Sequence, residues 1–151
     1  MIVWRICRED YADLSGVGAS LYGGRWNSQG HPVIYTASTL SLAFVELIPG
    51  LRRGGVLKGY VSLEIEIPDH VSKSAISLED FPKDWQEGHS PKWFIDKGDQ
   101  WIKAEESLTL YVPSIIIPSE KNIIINPKHS ELSLVHIKNK NPFRIDSRFA
   151  F

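Results

Sequence analysis

The chain has 151 residues, 42% of them hydrophobic, which suffices for one compact domain with its own core. Its formal net charge of −1 and pI near 6.5 lack the basic surplus of nucleic-acid-binding proteins, so no direct contact with nucleic acid is expected. The single cysteine excludes an internal disulfide, and no metal-ligand spacing is present. Without a leader or a membrane-length apolar run, the chain is expected to be cytoplasmic and to make no membrane contact.

Two apolar runs with a polar segment between them open the chain. Residues 2–7 predict a strand, and residues 33–37, which are β-branched and aromatic, predict a buried one. Between them, residues 8–30 are rich in Gly, Ser and Asp and predict an ordered functional loop.

A helix and then a half-exposed strand are predicted next. Ser38 or Thr39 can cap the helix, which we expect to run to about Leu47 and to stop before Pro49. Residues 58–67 alternate between apolar and polar side chains, as expected for a strand with one buried face.

The second half of the chain predicts one more helix and several strands. Ser90 followed by Pro91 is typical of a helix start, and Gly98 would allow this helix to pack closely. Further strands are predicted at residues 108–117, 122–126, 134–138 and 143–146. Because strands and helices follow no strict βαβ rhythm, we expect an α+β fold: a single compact domain over residues 1–151, with a mixed, largely antiparallel sheet and a few helices.

Three polar residues stand out from their surroundings. Arg25 follows Gly23 and Gly24, and its guanidinium suits a phosphate or a carboxylate. Glu46 interrupts the apolar helix, so the pattern predicts a buried acid, which needs a partner or a purpose. Tyr35 lies in an apolar strand, where most tyrosines belong to the core.

The weaker candidates also have ordinary explanations. Ser114 carries little information alone, and Asn126 before a proline is first a turn signal. Arg5 beside Trp4 could extend its charge to solvent from a strand. From the pattern alone, a shared functional role and separate structural roles both stay open.

Eight short motifs nevertheless follow one another in a distinctive order: Trp4-Arg5, Tyr22-Gly-Gly-Arg-Trp-Asn27, Val33-Ile-Tyr-Thr-Ala37, the helix with Leu-Ala-Phe-Val-Glu46, Gly98-Asp-Gln-Trp101, Leu110-Tyr-Val-Pro-Ser114, Asn126-Pro-Lys-His129 and Asn141-Pro-Phe-Arg-Ile-Asp146. This order, which spans nearly the whole chain, resembles the RES domain family. The family is named for an arginine, a glutamate and a serine, which match Arg25, Glu46 and Ser114.

The resemblance implies a fold similar to that of ADP-ribosyltransferases of the diphtheria-toxin type. It implies a toxin of a bacterial type II toxin–antitoxin system that cleaves the nicotinamide–ribose bond of NAD⁺, as a glycohydrolase or phosphorylase, and depletes cellular NAD⁺. NAD⁺ would be the substrate, with no cofactor and no metal. Two alternatives stay open: an ADP-ribosyltransferase that modifies a host protein, and a nucleotide-binding interaction module without turnover.

The residue types suit NAD⁺ cleavage. Glu46 can stabilise the positive charge that develops on the ribose, and Arg25 can grip the pyrophosphate with its planar fork. Tyr35 offers a ring for stacking on nicotinamide. Catalytic roles are therefore predicted for Arg25, Tyr35, Glu46 and Ser114, and contacts with NAD⁺ for Arg5, Arg25, Tyr35 and Asn126.

The resemblance also implies a protein partner. This partner is an antitoxin with an Xre-type helix-turn-helix domain, whose C-terminal part covers the active site of the toxin. A homodimer of the chain within such a complex is a further expectation.

Overall fold

The structure is a computed structural model that describes residues 1–51 and 58–149. Its helices and strands are, in chain order, β1 (Ile2–Arg8), α1 (Val17–Tyr22), β2 (Ile34–Ala37), α2 (Leu40–Leu51), β3 (Tyr60–Glu66), β4 (Lys73–Ala75), α3 (Pro91–Ala104), β5 (Thr109–Pro113), β6 (Lys121–Ile125) and β7 (His136–Pro142). None of the helices in these two ranges has the length and apolar character needed to span a bilayer.

All the described strands belong to one sheet, in the order β4-β5-β6-β2-β1-β3-β7. Neighbouring strands run antiparallel except β4 and β5, which are parallel. The N-terminal strand β1 therefore lies inside the sheet, between β2 and β3. The predicted α+β fold, one domain with a mixed and largely antiparallel sheet, is confirmed.

The core divides into clusters that follow from the alternation of side chains along the strands. In β6, Ile123 and Ile125 belong to one cluster and Ile124 to another, as expected when successive side chains point to opposite faces. The second cluster is rich in aromatic side chains and includes Phe94 and Trp101 of α3. A smaller cluster joins α2 to the strands.

Helix α3 matches its prediction and explains its glycine. It begins at Pro91, and an ideal Cβ at Gly98 would lie 1.7 Å from the carbonyl oxygen of Trp26. Any side chain at this position would therefore push the helix away from the segment that precedes β2. The hydroxyl of Ser90 donates to Asp84 at 2.9 Å instead of capping the helix.

The predicted end of α2 is wrong. Thr39 accepts a hydrogen bond from the backbone N–H of Leu42 at 3.1 Å, but the helix continues through Pro49 to Leu51. Proline removes a helical hydrogen bond, and here it does so only in the last turn. Leu51 is 2% exposed, so the burial of its side chain offsets that loss.

Residues 8–30 are not a continuous loop, because α1 lies within them. This short helix has no buried residue and starts after Gly16 at a φ of 71°. Neither an apolar period nor a side-chain cap therefore marks it in the sequence.

The predicted C-terminal strands are also partly wrong. Residues 130–134 form a 3₁₀ turn, β7 begins only at His136, and the described residues 143–146 form no strand. Pro142 ends β7, and the next residue, Phe143, packs its ring 5.7 Å from that of Phe44 on α2. Most of β7 is exposed, so its sequence lacks the alternation of a half-buried strand.

Candidate active site

A cavity of about 770 Å³ opens where β1, β2 and β6 meet α2 and the segment around α1. This volume lies within the range of roughly 300–1,000 Å³ that is typical of small-molecule sites. The charged side chains that line it in the described residues are those of Arg5, Arg25 and Glu46, and the aromatic ones are those of Trp4, Tyr11, Tyr22, Trp26 and Tyr35.

Arg25 is exposed on the segment between α1 and β2, and its guanidinium lies 5.5 Å from the ring centroid of Phe94. Phe94 is 1% exposed, so the cation rests on a rigid aromatic ring of α3. This contact orients the guanidinium and leaves its N–H donors available for an anion.

The segment that carries Arg25 is fastened on two sides. The hydroxyl of Tyr35 on β2 accepts from the backbone N–H of Trp26 at 2.9 Å and donates to Asn27 Oδ1 at 2.6 Å. The carboxylate of Asp99 on α3 accepts from the backbone N–H of Ser28 at 3.0 Å and from its hydroxyl at 2.6 Å. Arg25 is therefore presented by a segment tied to both the sheet and a helix.

Tyr35 combines a structural hydroxyl with a ring that lines the cavity. Burial raises the pKa of this phenol well above its ordinary value, so the hydroxyl stays neutral at physiological pH. An ideal Cβ at Gly24 would lie 2.7 Å from the Tyr35 hydroxyl oxygen, which explains why glycine precedes Arg25. The predicted stacking partner thus also orders the Arg25 segment.

Glu46 and Ser114, which are distant in sequence, are joined by a hydrogen bond. The Ser114 hydroxyl donates to Glu46 Oε1 at 2.5 Å and accepts from the backbone N–H groups of Ile116 and Ile117, at 3.2 and 3.0 Å. Glu46 is half-buried at the cavity wall rather than fully buried. Ser114 is 0% exposed and does not line the cavity, so it orients Glu46 and is not placed to touch a ligand.

Arg5 reaches the cavity from β1, but one of its terminal nitrogens is already engaged. Its Nη1 donates to the carbonyl oxygens of Tyr11 at 2.9 Å and Asp13 at 3.2 Å. The remaining N–H donors of this guanidinium can still meet a ligand.

Asn126, for which a contact with NAD⁺ is predicted, is not among the residues that line the cavity. It is 0% exposed, its Nδ2 donates to the carbonyl of Ile102 at 3.1 Å, and its Oδ1 accepts from the N–H of Lys128 at 3.1 Å. The amide oxygen thus holds the turn after β6, the amide nitrogen ties this turn to α3, and the residue does not line the cavity.

Other lining residues were missed by the sequence reasoning. Asn122 at the start of β6 lines the cavity, and its Nδ2 donates to the carbonyl of Thr36 at 3.3 Å. The sequence feature that could have indicated Asn122 is its position as a polar residue directly before the apolar run 123–125. Tyr11 and Tyr22 also line the cavity, and the signal for Tyr22 was its position before two glycines.

The charged side chains of the cavity are not paired with one another in the described part of the chain. The ion pairs of residues 1–51 and 58–149 do not include one between Arg25 and Glu46. Two cations and one anion thus face the same space, which suits a ligand with anionic groups and a region of developing positive charge. Within these ranges, no group of His, Cys, Asp and Glu side chains is placed to hold a metal ion.

The sequence is similar to those of several named proteins. The family model described as RES domain matches residues 2–146. Toxin Res of Yersinia enterocolitica serotype O:8 / biotype 1B is 37% identical over 131 residues, which cover 85% of this chain and 86% of the relative. The Prs ADP-ribosylating toxin of a Sphingobium species is 34% identical over 151 residues, covering 96% of this chain and 94% of the relative.

A solved structure shares the fold. The crystal structure of the M. tuberculosis MbcT–MbcA toxin–antitoxin complex contains a chain that matches with a TM-score of 0.78. The match covers 95% of this chain and 84% of that one, at 16% sequence identity. At this identity, the likeness establishes the fold alone.

Proposed function

Because the chain belongs to the RES domain family of toxins, we propose that it cleaves the nicotinamide–ribose bond of NAD⁺. The observation that carries the proposal is the Glu46 carboxylate, which Ser114 holds at the wall of a cavity that also contains two arginines. No metal or additional cofactor is part of the proposed reaction.

The chemistry needs an anion near the sugar. The bond between ribose C1′ and the pyridinium nitrogen breaks with its electron pair going to nitrogen, so nicotinamide leaves neutral. Positive charge then develops on the ribose, as in other glycosyl transfers. Glu46, fixed by Ser114, would stabilise that charge, most directly through the ribose 2′-hydroxyl.

The arginines would hold the pyrophosphate. Arg25 has an oriented guanidinium with available donors, and Arg5 lines the same cavity. Planar guanidinium groups match phosphate oxygens in pairs of hydrogen bonds. The ring of Tyr35 would stack on the nicotinamide.

The acceptor distinguishes hydrolysis from phosphorolysis. Water would give ADP-ribose and release a proton, whereas phosphate would give ADP-ribose 1″-phosphate. A second candidate function, transfer of ADP-ribose to a host protein, is favoured by the 34% identity with the Sphingobium toxin, which is named as ADP-ribosylating. It breaks the same bond and differs only in the nucleophile.

We also propose that the partner is an antitoxin. The solved structure that shares the fold is a complex of a toxin with its antitoxin, and an enzyme that drains NAD⁺ requires control. An Xre-type helix-turn-helix protein encoded beside this chain is the expected partner.

The test is direct product analysis. Purified protein is incubated with NAD⁺, with and without phosphate and in excess chelator, and the products are separated by chromatography. We expect release of nicotinamide in every condition. Glu46→Gln should lower turnover roughly 10²–10³-fold because the amide carries no charge.

The matched control is Glu106→Gln, which changes an exposed glutamate outside the cavity and should leave turnover unaltered. A folded wild-type protein that releases no nicotinamide would exclude the proposed function. Equal rates in wild type and Glu46→Gln would remove Glu46 from the mechanism.

A further inference from the structure

A pair of tyrosines lines one part of the cavity and has no role in the cleavage chemistry described above. The rings of Tyr11 and Tyr22 lie 6.4 Å apart between centroids at an angle of 80°, and their hydroxyl oxygens are 3.3 Å apart. The two rings therefore form a corner, with one plane nearly perpendicular to the other.

This corner is held in place by the chain around it. An ideal Cβ at Gly18 would lie 3.3 Å from Cγ of Tyr11, so the absence of a side chain lets the Tyr11 ring lie against α1. Arg5 donates to the carbonyl of Tyr11, which fixes the backbone of that residue from the β1 side.

Tyr22 is the open member of the pair. It is 71% exposed, although it belongs to the last turn of α1 and lines the cavity. An aromatic ring with a free face can stack on any planar heterocycle, and such stacking needs no particular pattern of hydrogen bonds.

The lining groups can be assigned to the successive parts of a dinucleotide. Glu46 and Tyr35 would serve the nicotinamide–ribose end, and the arginines would serve the pyrophosphate. A dinucleotide has a second base beyond its pyrophosphate, and the lining groups that the proposed chemistry leaves unused include the tyrosine corner.

We infer that Tyr22, supported by Tyr11, is the stacking platform for the purine base of the substrate, so that the cavity selects dinucleotides over mononucleotides. This inference rests on the proposed function for its substrate, but it concerns a separate part of the cavity. Tyr22 therefore sets affinity for the adenine half and takes no part in breaking the bond.

The experiment compares two substrates that share the scissile bond. NAD⁺ carries the purine, whereas nicotinamide mononucleotide lacks the whole AMP half, which comprises the purine, its ribose and one phosphate. Tyr22→Ala should raise the KM for NAD⁺ roughly tenfold with little change in kcat, since alanine removes the stacking face. The same variant should cleave nicotinamide mononucleotide as wild type does.

Two controls separate stacking from a change of fold. Tyr22→Phe keeps the ring and should retain the wild-type KM. Leu21→Ala alters the neighbouring residue, which is 52% exposed but does not line the cavity. This variant should keep the wild-type KM and kcat with both substrates.

A binding measurement makes the inference independent of turnover. Calorimetric titration with ADP-ribose, which has the purine but no nicotinamide, should give about tenfold weaker binding for Tyr22→Ala than for wild type. Equal binding of ADP-ribose to both proteins, or an equal loss of activity on both substrates, would overturn the platform.

The two failures can be told apart. A wild-type protein that binds ADP-ribose through Tyr22 but releases no nicotinamide would overturn the proposed function and keep the platform. If Tyr22→Ala releases nicotinamide with an unchanged KM for NAD⁺, the proposed function is supported and the stacking platform is excluded.

Discussion

At the scale of single residues, the pair Glu46–Ser114 determines how the cavity can act. The Ser114 hydroxyl has one proton, which it donates in a hydrogen bond to the Glu46 carboxylate. Its oxygen accepts hydrogen bonds from two backbone N–H groups. Ser114 is therefore a positioning residue that acts through Glu46.

We predict that Ser114→Ala lowers turnover of NAD⁺ roughly tenfold or more, because a hydrogen bond to a charged group contributes about 1.5–3 kcal/mol. The change should have no further effect on the rate in a Glu46→Gln background. Initial rates and thermal melting of the single and double variants check this, with the exposed Ser133→Ala as the control. Additive losses of rate would mean that Ser114 acts independently of Glu46.

Another carboxylate makes stability depend on pH. Ser72 donates to Glu131 Oε2 through its hydroxyl at 2.6 Å and its backbone N–H at 2.9 Å, and these bonds lower the pKa of Glu131 from its ordinary value of 4.5. A pKa that is lower in the folded state stabilises the fold above the unfolded pKa, and this stabilisation is lost as the pH falls through the folded value.

Glu131→Gln is therefore expected to lower the urea midpoint at pH 7 and to flatten its decline below about pH 5. Urea titrations at pH 7 and at pH 4 measure both effects. Glu106→Gln serves as the control because that glutamate is exposed. If the urea midpoint falls between pH 7 and pH 4 by the same amount in Glu131→Gln as in wild type, this contribution of Glu131 is excluded.

At the scale of elements, α3 supports the segment that presents Arg25 to the cavity, and it also lines the cavity through Pro91 and Ile95. Gly98 lets the helix touch the Trp26 carbonyl, and Asp99 holds Ser28 by two hydrogen bonds. The guanidinium of Arg25 rests on Phe94 of the same helix. The helix thus fixes the position of Arg25, the residue proposed to bind phosphate.

Asp99→Ala should raise the KM for NAD⁺ about tenfold, because the segment that presents Arg25 loses two charge-assisted hydrogen bonds. If Asp99 acts through Arg25, the change should add nothing in an Arg25→Ala background. Steady-state kinetics of the four proteins measure this coupling. Asp96→Ala, which breaks an exposed pair with Lys92 on the same helix, should behave as wild type. If Asp99→Ala raises the KM as much in the Arg25→Ala background as in wild type, Asp99 does not act through Arg25.

The elements that were predictable from sequence are those with a buried face or a strong terminus. Strand β3 buries Leu63 and Ile65, and α3 opens with Ser90-Pro91, so both carry local signals. Helix α1 buries nothing, and the continuation of α2 past Pro49 depends on the tertiary burial of Leu51. Such features are decided by contacts that a local pattern does not contain.

The site divides in the same way. Arg25, Tyr35 and Glu46 stand out in the sequence as polar side chains among glycines or apolar residues, and the structure places all three at the wall of one cavity. The indirect position of Ser114 and the structural position of Asn126 follow from hydrogen bonds across the fold. The exposure of Tyr22 could not be derived from spacing alone.

At the scale of the whole molecule, the proposed activity predicts a dependence on a partner. Expression of the chain alone should lower cellular NAD⁺ and arrest growth, and co-expression with the proposed antitoxin should prevent both effects. Nucleotide quantification by mass spectrometry and growth curves measure them. Expression of Glu46→Gln alone is the control and should be harmless. Normal growth and NAD⁺ levels with folded wild-type protein alone would contradict the toxin mechanism.

The pairing of β2 with β6 in the middle of the sheet also governs how the chain reaches its native state. Thr36 on β2 bonds the carbonyl of Ile123 on β6 across 87 positions of sequence, and Ser114 reaches Glu46 across 68. Contacts between such distant positions cost much loop entropy before they form, so we expect slow folding for a domain of this size. The cavity lies at this junction, and its chemistry therefore arises only when the two sequence-distant parts of the sheet have joined.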